Sequence, residues 1–214
     1  MEGYESEKDQ VEAIKRWWKA NGKSIIVGVA LGVALVSGGK WWLSNQQHRA
    51  ELASNIYEQV LQAVQKGDNA AALEKGGRLL QSAASSNYSA LTALVLAKLK
   101  TDQSDLEGAR YYLQWVVDHA SQASLKDVAR LHLTRVLLAK GDSAGALQVL
   151  NAVDAKAFTA PVQELKGDIF LAMGKRDEAR SAYSAASAAL DKNADHSRLD
   201  MKLAEAGASG KGTP

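Results

Sequence analysis

The chain has 214 residues, with 26 Lys and Arg against 24 Asp and Glu, and it contains no cysteine. Without cysteine there are no disulfide bonds, thiolate metal sites or cysteine nucleophile, and the length allows one membrane anchor plus one domain of about 170 residues. Residues 44–214 carry 20 basic and 19 acidic side chains, which argues against a nucleic-acid-binding surface, because such a surface needs a basic excess.

Residues 1–23 begin acidic and become basic toward the apolar stretch that follows them. The cations next to that stretch are Lys15, Arg16, Lys19 and Lys23. Beyond it, the nearest cations are only Lys40 and Arg49. Because an excess of Lys and Arg marks the cytoplasmic side of a membrane span, we expect residues 1–23 in the cytoplasm. Residues 44–214 are then expected on the other side, which in a bacterium is the periplasm.

Residues 24–43 are predicted to form a single transmembrane helix. The sixteen residues from Ser24 to Gly39 carry no charge, and a helix that continues to Leu43 spans about 30 Å, the thickness of a bilayer's hydrocarbon core. Tryptophan pairs flank the stretch, and such rings settle at membrane interfaces; they are Trp17, Trp18, Trp41 and Trp42. Two other interpretations stay open, a buried helix of a soluble core and a signal peptide cleaved after Gly38.

The predicted span carries small residues at intervals of four positions, at Ser24, Gly28 and Gly32. This spacing places them on one face of a helix, where small side chains let another membrane helix approach closely. We therefore predict that this face packs against a partner helix, although glycine is common in membrane helices in general.

After the span, a pattern of small residues recurs with a period of 33 to 37 residues. The recurring alanines are Ala72, Ala109, Ala146 and Ala179. Five residues before them lie Gly67, Ser104, Gly141 and Gly174. This period is typical of a solenoid of helical hairpins, in which glycine ends the first helix and alanine lies where two helices cross.

The register of this pattern predicts an all-α domain of about four hairpins over residues 44–190, and the presence of only two prolines agrees with it. The first helices are expected near 52–66, 87–101, 124–140 and 160–173. The second helices are expected near 68–82, 104–119, 142–153 and 176–190. Asp105 and Asp142 follow the turn positions and are candidate N-caps of second helices.

The last segment, residues 191–214, is predicted to begin as an amphipathic helix through Leu199 and Leu203. Such a helix would cover the open end of the array, as terminal repeats require. From Ala206 to Pro214 the residues are small, and we expect a disordered tail there.

The fourth unit has the residue spacing of a tetratricopeptide repeat. The matching residues are Gly167, Phe170, Gly174, Glu178, Ala179, Tyr183 and Ala186. The third unit resembles the repeat more weakly, and the first two are degenerate, with Gly76 at the place of a large residue and Lys100 at that of an aromatic one. The resemblance implies a tetratricopeptide-like α-solenoid that binds partners along its inner face.

In such repeats the inner face comes largely from the first helix of each hairpin. Carried over by register, the resemblance implies a partner-binding groove made of Tyr57, Leu61, Leu91, Leu94, Lys98, Val128, Leu131, Arg135, Glu164 and Asp168. A groove that mixes apolar and charged side chains fits an extended peptide or a segment of a partner protein. Several of these leucines have the alternative of packing against neighbouring helices. Trp115 and Val116 lie on a second helix, and we expect them in the core.

The run from Glu12 to Lys23, joined to one span and degenerate repeats, resembles the YfgM family of ancillary subunits of the bacterial SecYEG translocon. The resemblance covers nearly the whole chain. It implies a single-pass inner-membrane protein with a cytoplasmic N-terminus and a periplasmic repeat domain. It also implies association with SecYEG and with the membrane-anchored chaperone PpiD, in the handling of newly exported proteins. The alternative is a membrane-anchored scaffold for another cell-envelope complex.

No enzyme motif stands out in the chain. The four histidines, His48, His119, His132 and His196, are far apart and lack a His-Glu-x-x-His spacing. A phosphate-binding glycine loop is absent as well, and the pattern predicts no strand from which a Gly-x-Ser-x-Gly nucleophile turn could rise. We therefore expect no catalytic residue, metal, cofactor or small-molecule substrate, and protein–protein binding is the favoured role.

Overall fold

The structure is a computed structural model, and it describes residues 3–191 and 194–207. All regular secondary structure in these two ranges is helical, which confirms the all-α prediction. The helices found there are α1 (Gly3–Gln65), α2 (Asn69–Ser82), α3 (Asn87–Asp102), α4 (Leu106–His119), α5 (Ala123–Ala139), α6 (Ser143–Leu150), α7 (Thr159–Ala172), α8 (Arg176–Ala188) and α9 (Ser197–Gly207).

The first of two compact units ends at Glu51, and its described residues all belong to α1. Within this helix the segment Gln10–Gln65 contains an apolar window long enough to cross a membrane. Only 6% of that window is buried, whereas the core helix of a soluble protein is mostly buried. The tryptophans are exposed as well, with Trp41 at 70%. This exposure favours a membrane span over a buried core helix.

The second unit begins at Leu52 and consists of helical hairpins. The C-terminal part of α1 packs on α2 through a shared core that contains Val60, Ala63 and Ala72. The pairs α3–α4, α5–α6 and α7–α8 follow, and each hairpin also packs on the next one. The described residues thus confirm the predicted array of four hairpins, in which neighbouring hairpins bury one another's apolar faces.

The turns inside the hairpins have the predicted residues. Positive φ angles between 59° and 80° occur at Gly67, Ser104, Gly141 and Gly174. Glycine adopts this conformation without a Cβ clash, and Ser104 is the one non-glycine residue of the described chain that also does so. At the next position Asp68, Asp105 and Asp142 each accept the backbone N–H three residues on, at 2.8–3.0 Å. Lys175 takes this place in the fourth hairpin and makes no side-chain cap.

The recurring alanines lie at close helix contacts. Ala72, Ala109, Ala146 and Ala179 are all at 0% exposure. In the fourth hairpin a Cβ added at Gly167 would overlap the ring of Tyr183. Between α2 and α3, a Cβ added at Gly76 would lie 2.7 Å from a methyl carbon of Leu96. Packing therefore requires small residues at these places, and the glycine at position 76 belongs to a contact between hairpins.

Helix α9 packs on the last hairpin and carries both leucines of the predicted amphipathic helix. Leu199 is buried, and Leu203 packs against the same small core, which also contains Tyr183. The guanidinium of Arg176 donates a hydrogen bond to the carbonyl of Glu205 at 3.0 Å. The sequence predicts a disordered tail from Ala206 onward, but Ala206 and Gly207 still belong to α9. The rest of that tail, residues 208–214, lies outside the described residues.

Helix α6 is shorter than the sequence pattern predicts. The pattern indicates a helix over 142–153, but α6 ends at Leu150. In the turns that follow, the backbone N–H of Asp154 donates to Oδ2 of Asp127 at 3.4 Å. Asp127 is buried and also accepts a hydrogen bond from Arg130 at 2.8 Å. The loop leaves the helical path early, and in doing so it supplies a donor to a buried carboxylate.

Candidate functional site

A groove opens along the first helices of hairpins one to three, and we call it the α3–α5 groove. It has a volume of about 450 Å³, within the usual range for ligand pockets of about 300–1,000 Å³. It is lined by Tyr57, Leu91, Leu94, Val95, Ala97, Lys98, Thr101, Asp102, Leu113, His132, Arg135 and Val136. These residues come from α1, α3, α4 and α5.

Apolar side chains form the floor of this groove. Ala97, Leu113 and Val136 are at most 5% exposed and belong to the main core of the array. Leu91 and Leu94 are half-buried, so part of their apolar surface stays open to the groove. The floor is therefore rigidly supported from below and offers apolar surface to a ligand.

Charged side chains of α3 and α5 also line the groove. Lys98 Nζ lies 2.7 Å from Oδ2 of Asp102, one helical turn later. Arg135 is exposed, and its guanidinium forms no hydrogen bond or ion pair with any other residue of the described chain. Desolvation, and then the charge of Arg135, lower the pKa of His132, although part of this side chain stays exposed. At neutral pH the groove therefore carries one positive charge that its own residues leave unpaired.

The structure brings together five of the ten predicted groove residues. These five are Tyr57, Leu91, Leu94, Lys98 and Arg135. Leu61 and Val128 are half-buried outside this groove, and Leu131 is buried in the core at 6% exposure. Glu164 and Asp168 lie on α7 and contact α9 instead.

At the fourth hairpin, α9 supplies cations to the carboxylates of α7. Glu164 is 6% exposed, and its carboxylate oxygens lie 2.8 Å from the guanidinium of Arg198 and 2.8 Å from Nζ of Lys202. Lys202 also pairs with Asp168 at 2.6 Å, and the hydroxyl of Tyr183 donates to Asp168 at 2.8 Å. Burial, and then this hydrogen bond, raise the pKa of Tyr183. Two carboxylates thus face two cations from α9.

Some lining residues of the groove have a signal in the sequence that the prediction did not use. His132 precedes Arg135 by three positions, and this spacing places both on one face of a helix. Leu113 comes from a second helix, whereas only first helices entered the prediction.

Of the two residues that the sequence places in the core, Val116 is fully buried. Trp115 is only half-buried, and its ring stacks on that of His119 at a centroid distance of 4.6 Å.

The small residues of the predicted span, Ser24, Gly28 and Gly32, are exposed in the first unit. A Cβ added at Gly28 or Gly32 would meet nothing within 4 Å, so no contact within the chain requires glycine there. Their packing against another membrane helix stays a prediction.

Among the described residues, no three His, Asp or Glu side chains are grouped so that they could hold a metal ion.

Comparisons with known proteins cover both units of the chain. The family described as tetratricopeptide repeat-like domain matches residues 15–208. A protein of Escherichia coli (strain K12) named Ancillary SecYEG translocon subunit is 37% identical over 187 residues, 86% of this chain and 89% of the relative. Its namesake in Haemophilus influenzae is 30% identical over 182 residues, 84% of this chain and 88% of that protein.

A third relative with the same name, from Aggregatibacter actinomycetemcomitans, is 31% identical over 180 residues, which are 84% of this chain and 88% of the relative. No solved structure matched the chain significantly. The helical hairpins, the apolar helix and these similarities agree with one another. The chain belongs to the tetratricopeptide repeat-like family, and to the same family as these relatives, which are named ancillary SecYEG translocon subunits.

Proposed function

We propose that this chain is a non-enzymatic accessory subunit of the SecYEG translocon in the bacterial inner membrane. In this proposal the apolar part of α1 crosses the membrane once, residues 1–23 lie in the cytoplasm, and the helical hairpins lie in the periplasm. The excess of Lys and Arg before the span supports this orientation. The small residues Ser24, Gly28 and Gly32 then face a helix of the membrane complex.

The observation that carries this proposal is the extent of the family match. It runs from residue 15 to residue 208 and therefore includes both the apolar helix and the hairpins. Relatives that bear the translocon name align over more than four fifths of this chain. A shared repeat domain alone would support only a general binding role, because one fold serves many functions.

We assign partner binding to the α3–α5 groove. Leu91 and Leu94 offer apolar surface, and burial of such surface supplies affinity at about 25 cal/mol per Å². Lys98 and Arg135 offer charges that orient a ligand and steer its approach. The partners in this proposal are the chaperone PpiD and newly exported proteins, which both present polypeptide segments in the periplasm.

Site-specific photocrosslinking in intact membranes tests the proposal. A photoreactive residue at Leu94 in the groove is compared with one at Tyr111, which is 64% exposed on α4 and does not line the groove. We expect adducts with translocon subunits or PpiD from Leu94 and few from Tyr111. A third position, Gly28, tests contact of the span with the membrane complex.

Adducts that contain only other envelope proteins would contradict the translocon role and support a scaffold for a different complex. The orientation has a separate test. Protease added to the cytoplasmic face of membrane vesicles should cut residues 1–23 and leave the hairpins intact. Digestion of the hairpins from that face would overturn the orientation.

A further inference from the structure

The charge balance of the α3–α5 groove restricts what can occupy it. Lys98 and Asp102 neutralise each other, and Arg135 remains without a partner among the described residues. A basic segment would place like charges beside Arg135, and a wholly apolar segment would cover it without pairing it. Both cost free energy, because a charge removed from water needs a partner. An acidic side chain supplies that partner.

The fourth hairpin shows how this chain pairs a charge at the equivalent place of a first helix. Asp168 stands in the fourth repeat where Arg135 stands in the third, each directly after a buried position of its first helix. There the charge is paired with Lys202, which comes from α9 and not from the hairpin itself. In the fourth hairpin this charge is thus paired with a side chain of opposite sign from an added segment.

The walls of the groove favour a side chain over a chain terminus as the source of the carboxylate. One mode of terminal-carboxylate capture uses free backbone N–H groups, and in a helix these occur in the first turn. The lining residues begin at the fifth residue of α3 and lie further into α4 and α5. Their N–H groups are used within the helices, so a side chain is the better source.

We infer that the α3–α5 groove binds a polypeptide segment in which an aliphatic side chain lies on the floor formed with Leu91 and Leu94, and an Asp or Glu side chain pairs with Arg135. This inference refines the proposed function, because it names the chemistry of the segment that the groove accepts.

Fluorescence anisotropy with the full-length chain in detergent micelles tests the inference. The probe is a short fluorescein-labelled peptide with an amidated C-terminus and one glutamate flanked by leucines. Matched peptides carry glutamine or lysine in place of the glutamate, and a further one carries glutamine and a free C-terminal carboxylate. Since Arg135 is exposed, we expect the glutamate peptide to bind about two- to fivefold more tightly than the glutamine peptide.

Variants of the protein locate the effect. Arg135→Gln should remove the preference for glutamate, and Arg135→Glu should reverse it in favour of the lysine peptide. Lys126→Gln is the matched control, since it removes one positive charge from the same helix outside the groove. Circular dichroism melts check that each variant is folded. Equal binding of the glutamate and glutamine peptides, or a preference that survives Arg135→Gln, overturns the inference, and so does equal gain from the free carboxylate.

The crosslinking and peptide-binding experiments together distinguish failure of this inference from failure of the proposed function. Crosslinks from Leu94 to the translocon or PpiD, together with equal peptide affinities, would leave the function standing and remove the acidic preference. A glutamate preference without such crosslinks would support the groove chemistry and remove the translocon role.

Discussion

The third and fourth hairpins carry a charged residue at equivalent positions, but only one of the two charges is paired within the chain. Arg135 in the third hairpin and Asp168 in the fourth each follow a buried position of the first helix. Asp168 is paired with Lys202 of α9, whereas Arg135 has no such pair in the described chain. This chain thus supplies its own added segment at the fourth hairpin and leaves the equivalent place open at the third.

Removal of α9, the helix that supplies Lys202, should have the largest effect on the stability of the fourth hairpin. A chain that ends after Asp191 loses the buried contacts of Leu199, and we expect the fourth hairpin to be destabilised by about 2–4 kcal/mol. Glu164 and Asp168 then regain water, so their lost ion pairs add less than the lost apolar burial. Hydrogen exchange by mass spectrometry should show faster exchange in α7 and α8. The amides of α3 are the internal control, and unchanged exchange in α7 would contradict a stabilising role of α9.

The next effect tests the close packing of the fourth hairpin. Gly167→Ala places a methyl group against the ring of Tyr183, and we expect a loss of about 1–3 kcal/mol from overpacking. Gly77→Ala is the matched control, because a Cβ there meets nothing within 4 Å and alanine favours the helix by up to about 1 kcal/mol. Urea unfolding followed by circular dichroism measures both. Equal changes in the two variants would show that the close approach to Tyr183 is unimportant.

A smaller effect tests the missing cap of the fourth hairpin. Asp68, Asp105 and Asp142 cap the other second helices, and Lys175 does not cap α8. Lys175→Asp should stabilise the hairpin by about 0.5–1 kcal/mol, through a new hydrogen bond to a free backbone N–H. Lys175→Ala removes the same lysine without adding an acceptor. If the two variants have the same urea midpoint, the aspartate does not cap the helix.

The smallest effect concerns His132 in the groove. NMR titration of its ring should give a pKa below the ordinary value of about 6.5, and Arg135→Gln should raise it only in part, because desolvation is the larger cause. The unfolded chain takes up this proton more readily, so the stability contribution is full above about pH 6.5 and falls as the pH drops through the folded pKa. Lys126→Gln should leave the pKa unchanged. A pKa at or above the ordinary value would contradict the desolvation of the groove wall.

The hairpins could be predicted because their determinants are local. Turn residues with positive φ, the following aspartate caps and the small alanines all act within a few residues of one another, so one register located four hairpins. The membrane span could be predicted for the same reason, because the length of its apolar stretch and its flanking tryptophans can be recognised without knowledge of any tertiary contact.

The site could be predicted only in part because its determinants are distant in sequence. Glu164 fits the inner-face register, but its partners Arg198 and Lys202 come from another helix, and nothing in the spacing reveals that pairing. Leu131 shares its repeat position with Leu94, yet it is buried in the core while Leu94 opens to the groove. Which leucine stays accessible depends on how neighbouring helices pack.

A stack of hairpins is open-ended, since the surface that receives one hairpin can also receive a hairpin of another molecule, and such head-to-tail association grows into fibres. Helix α9 lies on the last hairpin and exposes Arg198, Asp200 and Glu205 to solvent. Charged side chains at that place disfavour the addition of a second copy. The surface that the fourth hairpin would offer to a further hairpin is thus occupied by a helix of the same chain.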